Sequence, residues 1–584
     1  NDGQSFEPIS PDLTRHDPKT LGPSGGPITK DQTSVEYYAT VFTIAESPVT
    51  AGVIWAGSDD GLVHVTRDNG KTWKNVTPPN IPEWSRVSMI EASHFSAGTA
   101  YVASNHYQMD DLKPYIYRTS DYGATWQLIV NGIPANEFTR VVREDPVRRG
   151  LLYAGTERGV WVSFNDGSPW QTLRRNLPIV PVHDLAVKEG DLVAATHGRS
   201  FWILDDLSAM RQLNPTVTTR ASHLFKPRDV YRANFNGGGG TGAAGGHPSG
   251  QNPASGAIVY YWLKNPNQTV TMDFLDQRGK LIRSFTSAQS AQAARDSLRN
   301  AARADSLKRA GVTPDSTQRG EARSEESPPD EGPRRTPPPP RVPNKAGLNT
   351  FSWNLRYPEA STFQNMILWA GGTQGPAAVP GTYTVRMRVN DGTAESQSFK
   401  VVNDPRSKAT QADLEEQFAF LVKVRDETSK ANDAVKLVRN IRSQIADRTK
   451  SLPADRKAAF ESEVKSLETT LSAAEKELYQ TQNRSGQDPL NYPIRLNNKI
   501  AALAGVASSG DARPTSQTLE VYRILSAQID AQVAKIKSAV SSSLPRLNQQ
   551  LTAANLKPIV ESTAEEETSP APAAAGDEDS DDAS

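Results

Sequence analysis

The chain of 584 residues contains no cysteine. That excludes disulfides, thiolate catalysis and thiolate-ligated zinc. It assigns no compartment, because exported bacterial proteins often lack the residue too. No apolar run reaches the ~18 residues of a membrane-spanning helix. A surplus of positive charge is missing as well. The 65 Lys and Arg residues stand against 66 Asp and Glu, without the basic excess on which nucleic-acid binding rests. Hydrophobic residues make up 36%, below the ~45–50% (Gly included) of a compact globular chain. Part of the length is therefore expected to lie outside packed cores. The eight His residues form no H-E-x-x-H, and the glycine tetrad is not followed by Gly-Lys-Ser/Thr. No metal and no cofactor is assigned. The chain starts at Asn1 without a leader pattern. It reads as a processed or truncated product of a secreted or periplasmic protein.

What is present divides by composition into five stretches. Residues 1–214 are rich in Trp, Gly, Asp and short β runs. Residues 215–255 include Gly237 to Gly240 and Gly245-Gly246, the composition of a flexible linker. Residues 256–404 return to strand patterns, such as Ile258 to Leu263 and Thr382 to Met387. They predict a β-sandwich of immunoglobulin or fibronectin-III type. An insert over 287–346, ending its Pro-rich part at Pro337 to Pro340, lacks aromatics and is expected to be disordered. Residues 408–560 are helical in pattern. Phe460, Val464, Leu467, Leu471, Ala474 and Leu478 recur at helical spacing, with an earlier stripe from Leu414 and Phe418 to Ile445 and a later one from Leu519 to Val540. Three long helices and a shorter one near Leu496 to Leu503 predict an antiparallel bundle. Residues 561–584 end in an acidic tail.

The first stretch is a repeat. Thr66-Arg67-Asp68-Asn69-Gly70-Lys71-Thr72-Trp73, Thr119 to Trp126 and Ser163 to Trp170 all read S/T-x-D/N-x-G-x-x-W. Asn1 to Phe6 is the back half of a fourth copy, with Phe for Trp. The Asp or Asn positions, 1, 68, 121 and 165, lie 67, 53 and 44 residues apart. Repeats near this length that hold several short strands indicate propeller blades. Asp68, Asp121 and Asn165 are suited to accept backbone N–H bonds in a tight turn. Gly70, Gly123 and Gly167 supply a positive φ. Trp73, Trp126 and Trp170 are expected to be buried between sheets, on the order of 200 Å² each. Strand patterns around Arg86 to Ile90, Ala100 to Ala103 and Tyr115 to Arg118 complete one blade. About four blades and an N-terminal fragment result, an arc with unpaired edges.

This motif is the Asp-box, or BNR repeat. Residues 1–214 resemble the C-terminal part of a sortilin/Vps10-like Asp-box β-propeller, in the large bacterial version often labelled a BNR-repeat glycosyl hydrolase. Ser24 to Thr29, Val142-Arg143-Glu144-Asp145-Pro146, Ala195 to Asp206, Trp353-Asn354-Leu355-Arg356-Tyr357-Pro358 and Val379 to Tyr383 carry the resemblance beyond the box. It implies a larger propeller, whose further blades lie upstream of Asn1.

Loops after the second strand of each blade, and connections between blades, emerge opposite the Asp-boxes. The resemblance places a ligand there. Those loops carry Asp59 and Asp60, then Asn105 to Pro114 with His106, Asp110 and Asp111, then Glu157 and Arg158, then His197 and Arg199. The connections lead to Trp84, Arg86, Arg140 and His183. Trp84, Arg86, Arg140, His183, His197 and Arg199 are the ligand-binding candidates. Asp59, Asp60 and Glu157 are the candidates for catalysis, since paired carboxylates hydrolyse glycosides when spacing and proton affinity suit. Two functions stay open. One is an interaction module for a peptide or polysaccharide, the other a glycoside hydrolase. A third possibility, ordinary polar loop residues, gives these side chains no ligand at all.

Overall fold

The computed structural model describes residues 4–25, 30–31, 38–233, 254–288 and 340–563. The glycine clusters at 237–246, most of the 287–346 insert, nearly all of the acidic tail and the first three residues of the partial repeat lie outside the described residues. The protein is mainly β, with several antiparallel sheets and a helical region toward its C-terminus. It forms two compact units, residues 1–226 and 227–584. No described helix is long and apolar enough to cross a membrane.

The first unit opens with a two-residue ladder, β1 (Ser24–Gly25) with β2 (Lys30–Asp31). Four antiparallel meanders follow. The first contains β3 (Val41–Glu46), β4 (Ile54–Ser58), β5 (Val63–Thr66) and β6 (Lys74–Asn75). The second contains β7 (Arg86–Ala92), β8 (Ala100–His106), β9 (Asp111–Thr119) and β10 (Gln127–Leu128). The third contains β11 (Thr139–Glu144), β12 (Leu152–Thr156), β13 (Gly159–Ser163) and β14 (Gln171–Thr172). The fourth has three described strands, β15 (Val182–Lys188), β16 (Asp191–Thr196) and β17 (Phe201–Leu204), and no repeat motif follows its third. Alternating apolar residues supply a separate core for each pair of neighbouring sheets. Trp55, Val65, Val87 and Val102 fill the first interface, Tyr101, Ile116, Val142 and Leu152 the second, and Val141, Tyr153, Val162 and Leu185 the third. The two ends of the row carry uncovered apolar side chains, with Ile44 of β3 70% exposed and Phe201 of β17 74% exposed.

The repeated turn has one hydrogen-bond pattern. Thr66 Oγ1 donates to Asp68 Oδ1 at 2.9 Å and accepts from the Gly70 N–H at 2.9 Å. Thr72 donates to the Asp68 carboxylate through its N–H at 2.9 Å and its hydroxyl at 2.6 Å. Those bonds hold the exposed Asp68 carboxyl at about 2, below its ordinary value. Thr119, Asp121, Gly123 and Thr125 repeat all four bonds. In the third copy Ser163, Asn165 and Gly167 keep the first two, while Pro169 stands where the others have Thr.

The turn also docks on the sheet before it. The indole N–H groups of Trp73, Trp126 and Trp170 donate to the carbonyls of Ile9, Val76 and Ile129 at 2.8, 2.7 and 2.6 Å. Each acceptor lies three residues after the preceding motif's Trp, or after Phe6 for the first. A Cβ on Gly70, Gly123 or Gly167 would fall within 2.5–2.6 Å of the same three residues. The expectation of three buried tryptophans needs correction. Trp170 is 3% exposed, whereas Trp73 and Trp126 are half-buried. All three are followed by two-residue outer strands, so the difference lies in what covers the ring. Over Trp170 the chain from Ile129 to Ile133 folds back, and the Trp170 N–H donates to Asn131 O at 2.8 Å.

Residues 206–233 differ from the linker expected over 215–255. They form α1 (Ser208–Gln212), α2 (Pro215–Thr219), β18 (Ser222–Leu224) and β19 (Val230–Arg232). Asn214 caps α2 by accepting from the Val217 N–H at 3.2 Å, with Pro215 in the first turn. The glycine content that suggested a linker is confined to residues beyond 233.

In the second unit, β19 adds in parallel to β25 (Glu395–Asn403). That sheet continues through β24 (Gly381–Val389), β21 (Val270–Leu275) and β22 (Leu281–Thr286). β20 (Ala257–Leu263) pairs with β23 (Gly347–Trp353). Aromatic rings fill the space between the two, with Phe274 4.8 Å from Trp353 and Phe285 5.0 Å from Phe351. Four helices follow: α3 (Gln411–Ser451), α4 (Ala454–Leu478), α5 (Leu496–Ala507) and α6 (Ser516–Ala553). Thr410 and Asp413 cap α3 reciprocally. Ile441, Phe460, Leu471, Ile500, Ile529 and Leu547 form one core. Leu414, Phe418, Leu421 and Leu519 of the helical stripes lie outside it. Leu519 is exposed, and Phe418 yields its inward place to Gln417 and Phe420, which follow Leu414 at helical spacing on the buried face.

Candidate functional site

The meander order fixes which residues share an end. Inner strands β3, β7, β11 and β15 start where β4, β8, β12 and β16 finish, and the repeated turns fall at the other end. Each inner strand has one extra residue in its register at the same place: Phe42, Ser88, Arg140 and His183. Such bulges re-aim side chains at strand ends. Across the ladder, facing the residue two positions before each bulge, stand Asp59, Asn105, Glu157 and His197. The N–H groups of Asp59, Glu157 and His197 donate to Thr40, Phe138 and Pro181 carbonyls at 3.0, 3.2 and 2.9 Å, and Asn105 pairs with Arg86. Asn105 is the counterpart that the sequence reading passed over. A constant spacing could have found it, since 42 and 59, 88 and 105, and 140 and 157 are each 17 apart.

Two of these pairs touch. Arg140 grips Glu157 Oε2 through Nε at 2.9 Å and Nη2 at 2.7 Å. Its guanidinium lies 4.9 Å from the Phe138 ring and 5.5 Å from Tyr107, and those rings stack at 4.6 Å. The rings of His183 and His197 are 4.9 Å apart. Arg86 begins β7 two residues before the Ser88 bulge and lies over the Phe42 ring at 5.1 Å. Trp84 holds a φ of +65°, rare for a bulky side chain. Its ring is 6.3 Å from Tyr38 and 5.6 Å from the Arg15 guanidinium. Arg199 is exposed on the loop between β16 and β17.

The carboxylates proposed for catalysis are already engaged. Asp59 is buried and accepts from the Thr40 N–H at 2.8 Å and its hydroxyl at 3.0 Å. Asp60 is buried and accepts from Ser58 Oγ at 2.5 Å and the Arg15 N–H at 2.7 Å. Both tie incoming loops to β4. Glu157 is held in the Arg140 fork. Asp110 takes a left-handed turn position at φ +59°, and Asp111 accepts from the Tyr115 hydroxyl at 2.6 Å. Arg158 approaches Glu137 at 3.8 Å.

The same end concentrates polar atoms without partners. Ser85 Oγ, Arg86 Nε, Asn105 Oδ1 and both His106 ring nitrogens are buried without a hydrogen bond. Asp111 Oδ2 comes no closer to His106 Nδ1 than 3.7 Å. Native proteins satisfy most such groups with protein, ordered water or a ligand.

His183 carries a testable signature. Partial burial, then the charges of Arg140 and His197, hold its imidazole below the ordinary value of 6.5, while Glu157 opposes them. The neutral ring is therefore favoured in the folded state. Its contribution is complete above the unfolded value and is lost as pH falls toward the folded one. Proton NMR should give a His183 midpoint below 6.5, shifted upward in Arg140→Gln. A midpoint above 6.5 in the wild type would contradict this arrangement.

No family model matches this chain, and no curated protein does. Several solved structures align with part of it. YCF48 bound to D1 peptide shares 17% identity over 28% of this chain and 52% of its own, at a TM-score of 0.23. An ancestral GH74 enzyme shares 14% over 44% of this chain and 34% of its own, at 0.23. The GH74 xyloglucanase from Xanthomonas campestris shares 15% over 38% and 36%, at 0.22. The chain thus spans about half of the first and about a third of the others. Likenesses this partial carry no argument about activity.

Proposed function

We propose that the four meanders are blades of an Asp-box β-propeller of the sortilin/Vps10-like bacterial kind. In this reading the protein is a secreted or periplasmic interaction module. The second unit supplies an immunoglobulin-like sandwich and a helical bundle as scaffold. Its ligand is a polar peptide or glycan, held at the end where the inner strands start. One observation supports this most: the row of bulge residues and their partners, from Phe42 and Asp59 to His183 and His197, beside buried polar atoms without partners. Guanidinium, imidazole and stacked aromatic groups on one rim suit a ligand with carbonyl or hydroxyl groups and a flat face.

Binding is favoured over hydrolysis because Asp59, Asp60 and Glu157 are occupied by Thr40, Ser58 and Arg140. A glycosidase needs two carboxyl groups free to face the scissile bond. The test is peptide and glycan arrays with the full chain, followed by Arg86→Ala and Arg140→Ala against whatever binds. Each variant is expected to weaken binding on the order of tenfold or more, as truncated arginine anchors do. Unchanged binding in both would remove this end from consideration. Release of sugar from a bound glycan would instead favour the hydrolase.

A further inference from the structure

The second unit holds a partly open cavity of about 620 Å³ whose wall includes the Asn354 to Tyr357 turn and residues of α3 such as Leu414 and Phe418. This turn belongs to Trp353-Asn354-Leu355-Arg356-Tyr357-Pro358, which the propeller reading leaves without a role. Its backbone is strained. Leu355 is buried and sits at φ +58°, a region that branched side chains avoid. The surroundings force it to stay there. The Ala378 N–H donates to Leu355 O at 2.7 Å, the Tyr357 N–H to Pro376 O at 3.0 Å, and Trp353 Nε1 to Arg356 O at 3.1 Å. Gly375 and Gly256 pack against the same turn, where a Cβ would come within 2.0 Å of the Tyr357 and Trp353 carbonyl oxygens.

The result is an arginine on the cavity wall without a counter-charge. Arg356 donates Nη1 to Gly375 O at 3.0 Å, and among the described residues no carboxylate lies within ion-pair distance of it. Arg283, also on the wall, lies over the Phe285 ring at 5.1 Å, and Glu359 stands on the same wall. The remaining charges are paired. Arg232 is bound to Asp511 at 2.5 Å, and Arg406 to Asp404 at 2.6 Å. Burial, and then the charge of Arg232, lower the proton affinity of Arg356. Such a cation is stabilised by an anion brought to it. Beside it the wall is apolar, with Tyr357 edge-on to Phe418 at 4.8 Å. Phe418 is one of the helical residues outside the bundle core, with Leu414 and Leu421, and all three line this wall.

We propose that this cavity binds a small organic monocarboxylate, its carboxylate on the Arg356 guanidinium and its ring or chain against Tyr357 and Phe418. On the wall, Arg232, Arg283, Arg356 and Arg406 against Glu359, Asp404 and Asp511 leave a surplus of one positive charge, which suits one negative charge. A planar fork suits a carboxylate. The aromatic pair suits a body that inorganic anions lack.

The test is titration of the full chain with benzoate, its neutral counterpart benzamide, and inorganic phosphate, read by calorimetry and ligand-observed NMR. Benzoate should bind at least about tenfold more tightly than benzamide or phosphate, a difference set by one charge-assisted contact. Arg356→Gln should abolish that preference, and Arg356→Lys should retain part of it. Phe418→Ala, on a face outside the helical core, should weaken benzoate several-fold and leave phosphate unchanged, which keeps the test valid if Arg356→Gln fails to fold. Glu359→Gln, an exposed wall residue, should leave benzoate binding equal or stronger. Equal binding of benzoate and benzamide, or no binding of either, would overturn the proposal. Phosphate binding as well as benzoate would overturn the organic-carboxylate assignment.

Discussion

Trp170→Ala is expected to destabilise the first unit by about 3–5 kcal/mol, as a fully buried large-to-small change does. The indole fills the interface between the second and third sheets with Tyr101, Ile116 and Leu152. It also donates to Ile129 O, which would be left without that partner. Trp73→Ala and Trp126→Ala should cost roughly half as much, because a half-buried ring gives up less apolar area. Trp170→Phe separates the two contributions, retaining most of the volume while losing the hydrogen bond, at a cost of about 1 kcal/mol for the bond. Urea unfolding of the full chain, followed by tryptophan fluorescence and circular dichroism, measures each value. Equal losses for the three alanine variants would show that burial does not distinguish them.

A second large effect is expected at Arg211. Asp145, from the Val142 to Pro146 stretch, has a fully buried side chain. Its carboxylate accepts Arg211 Nε at 3.0 and 2.9 Å and the N–H groups of Val147 and Arg148 at 2.9 Å each. Arg148 in turn donates to the Met210 and Leu213 carbonyls at 2.8 and 2.7 Å. Helix α1 is thereby fastened to the third sheet by charges facing in both directions. Arg211→Met leaves a buried carboxylate without its cation and should cost about 3–5 kcal/mol. Asp145→Asn in the same chain should recover part of that loss, because the uncompensated charge is gone. A double-mutant cycle read from melting curves measures the coupling. Additive losses would mean that the pair does not act as a unit.

The strands and the turn motif were legible because they rest on local chemistry. Thr66, Asp68, Gly70 and Thr72 meet within eight residues, so their spacing is visible in the chain. The helices were legible for the same reason, since Phe460 to Leu478 keeps one period over five turns. What the chain order hid was long-range. Nothing beside Trp73 announces Ile9, 64 residues away. Nothing beside Asp145 announces Arg211, 66 residues away. At the candidate site, the chain order shows which loops carry polar groups, but not which oxygens are already spoken for. Asp59 and Asp60 look like available carboxylates until Thr40 and Arg15 fold over them. The bulges were missed because a single extra residue changes no periodicity, although the 17-residue offsets that accompany it were present in the sequence.

The docking of each turn has a direction. Trp126 leans on Val76, and Trp170 leans on Ile129, but neither acceptor carbonyl leans back through the same contact. Support therefore passes along the row from earlier sheet to later, as in a file of leaning cards. Damage at Val76 deprives the second turn of its seat, while damage to the second turn leaves the Val76 strand with its own ladder intact. Coupling of this kind is between nearest neighbours and falls away with each sheet crossed. Sequence drift in one sheet is then constrained chiefly by the sheet that follows it, at the single position three residues beyond each motif's aromatic residue.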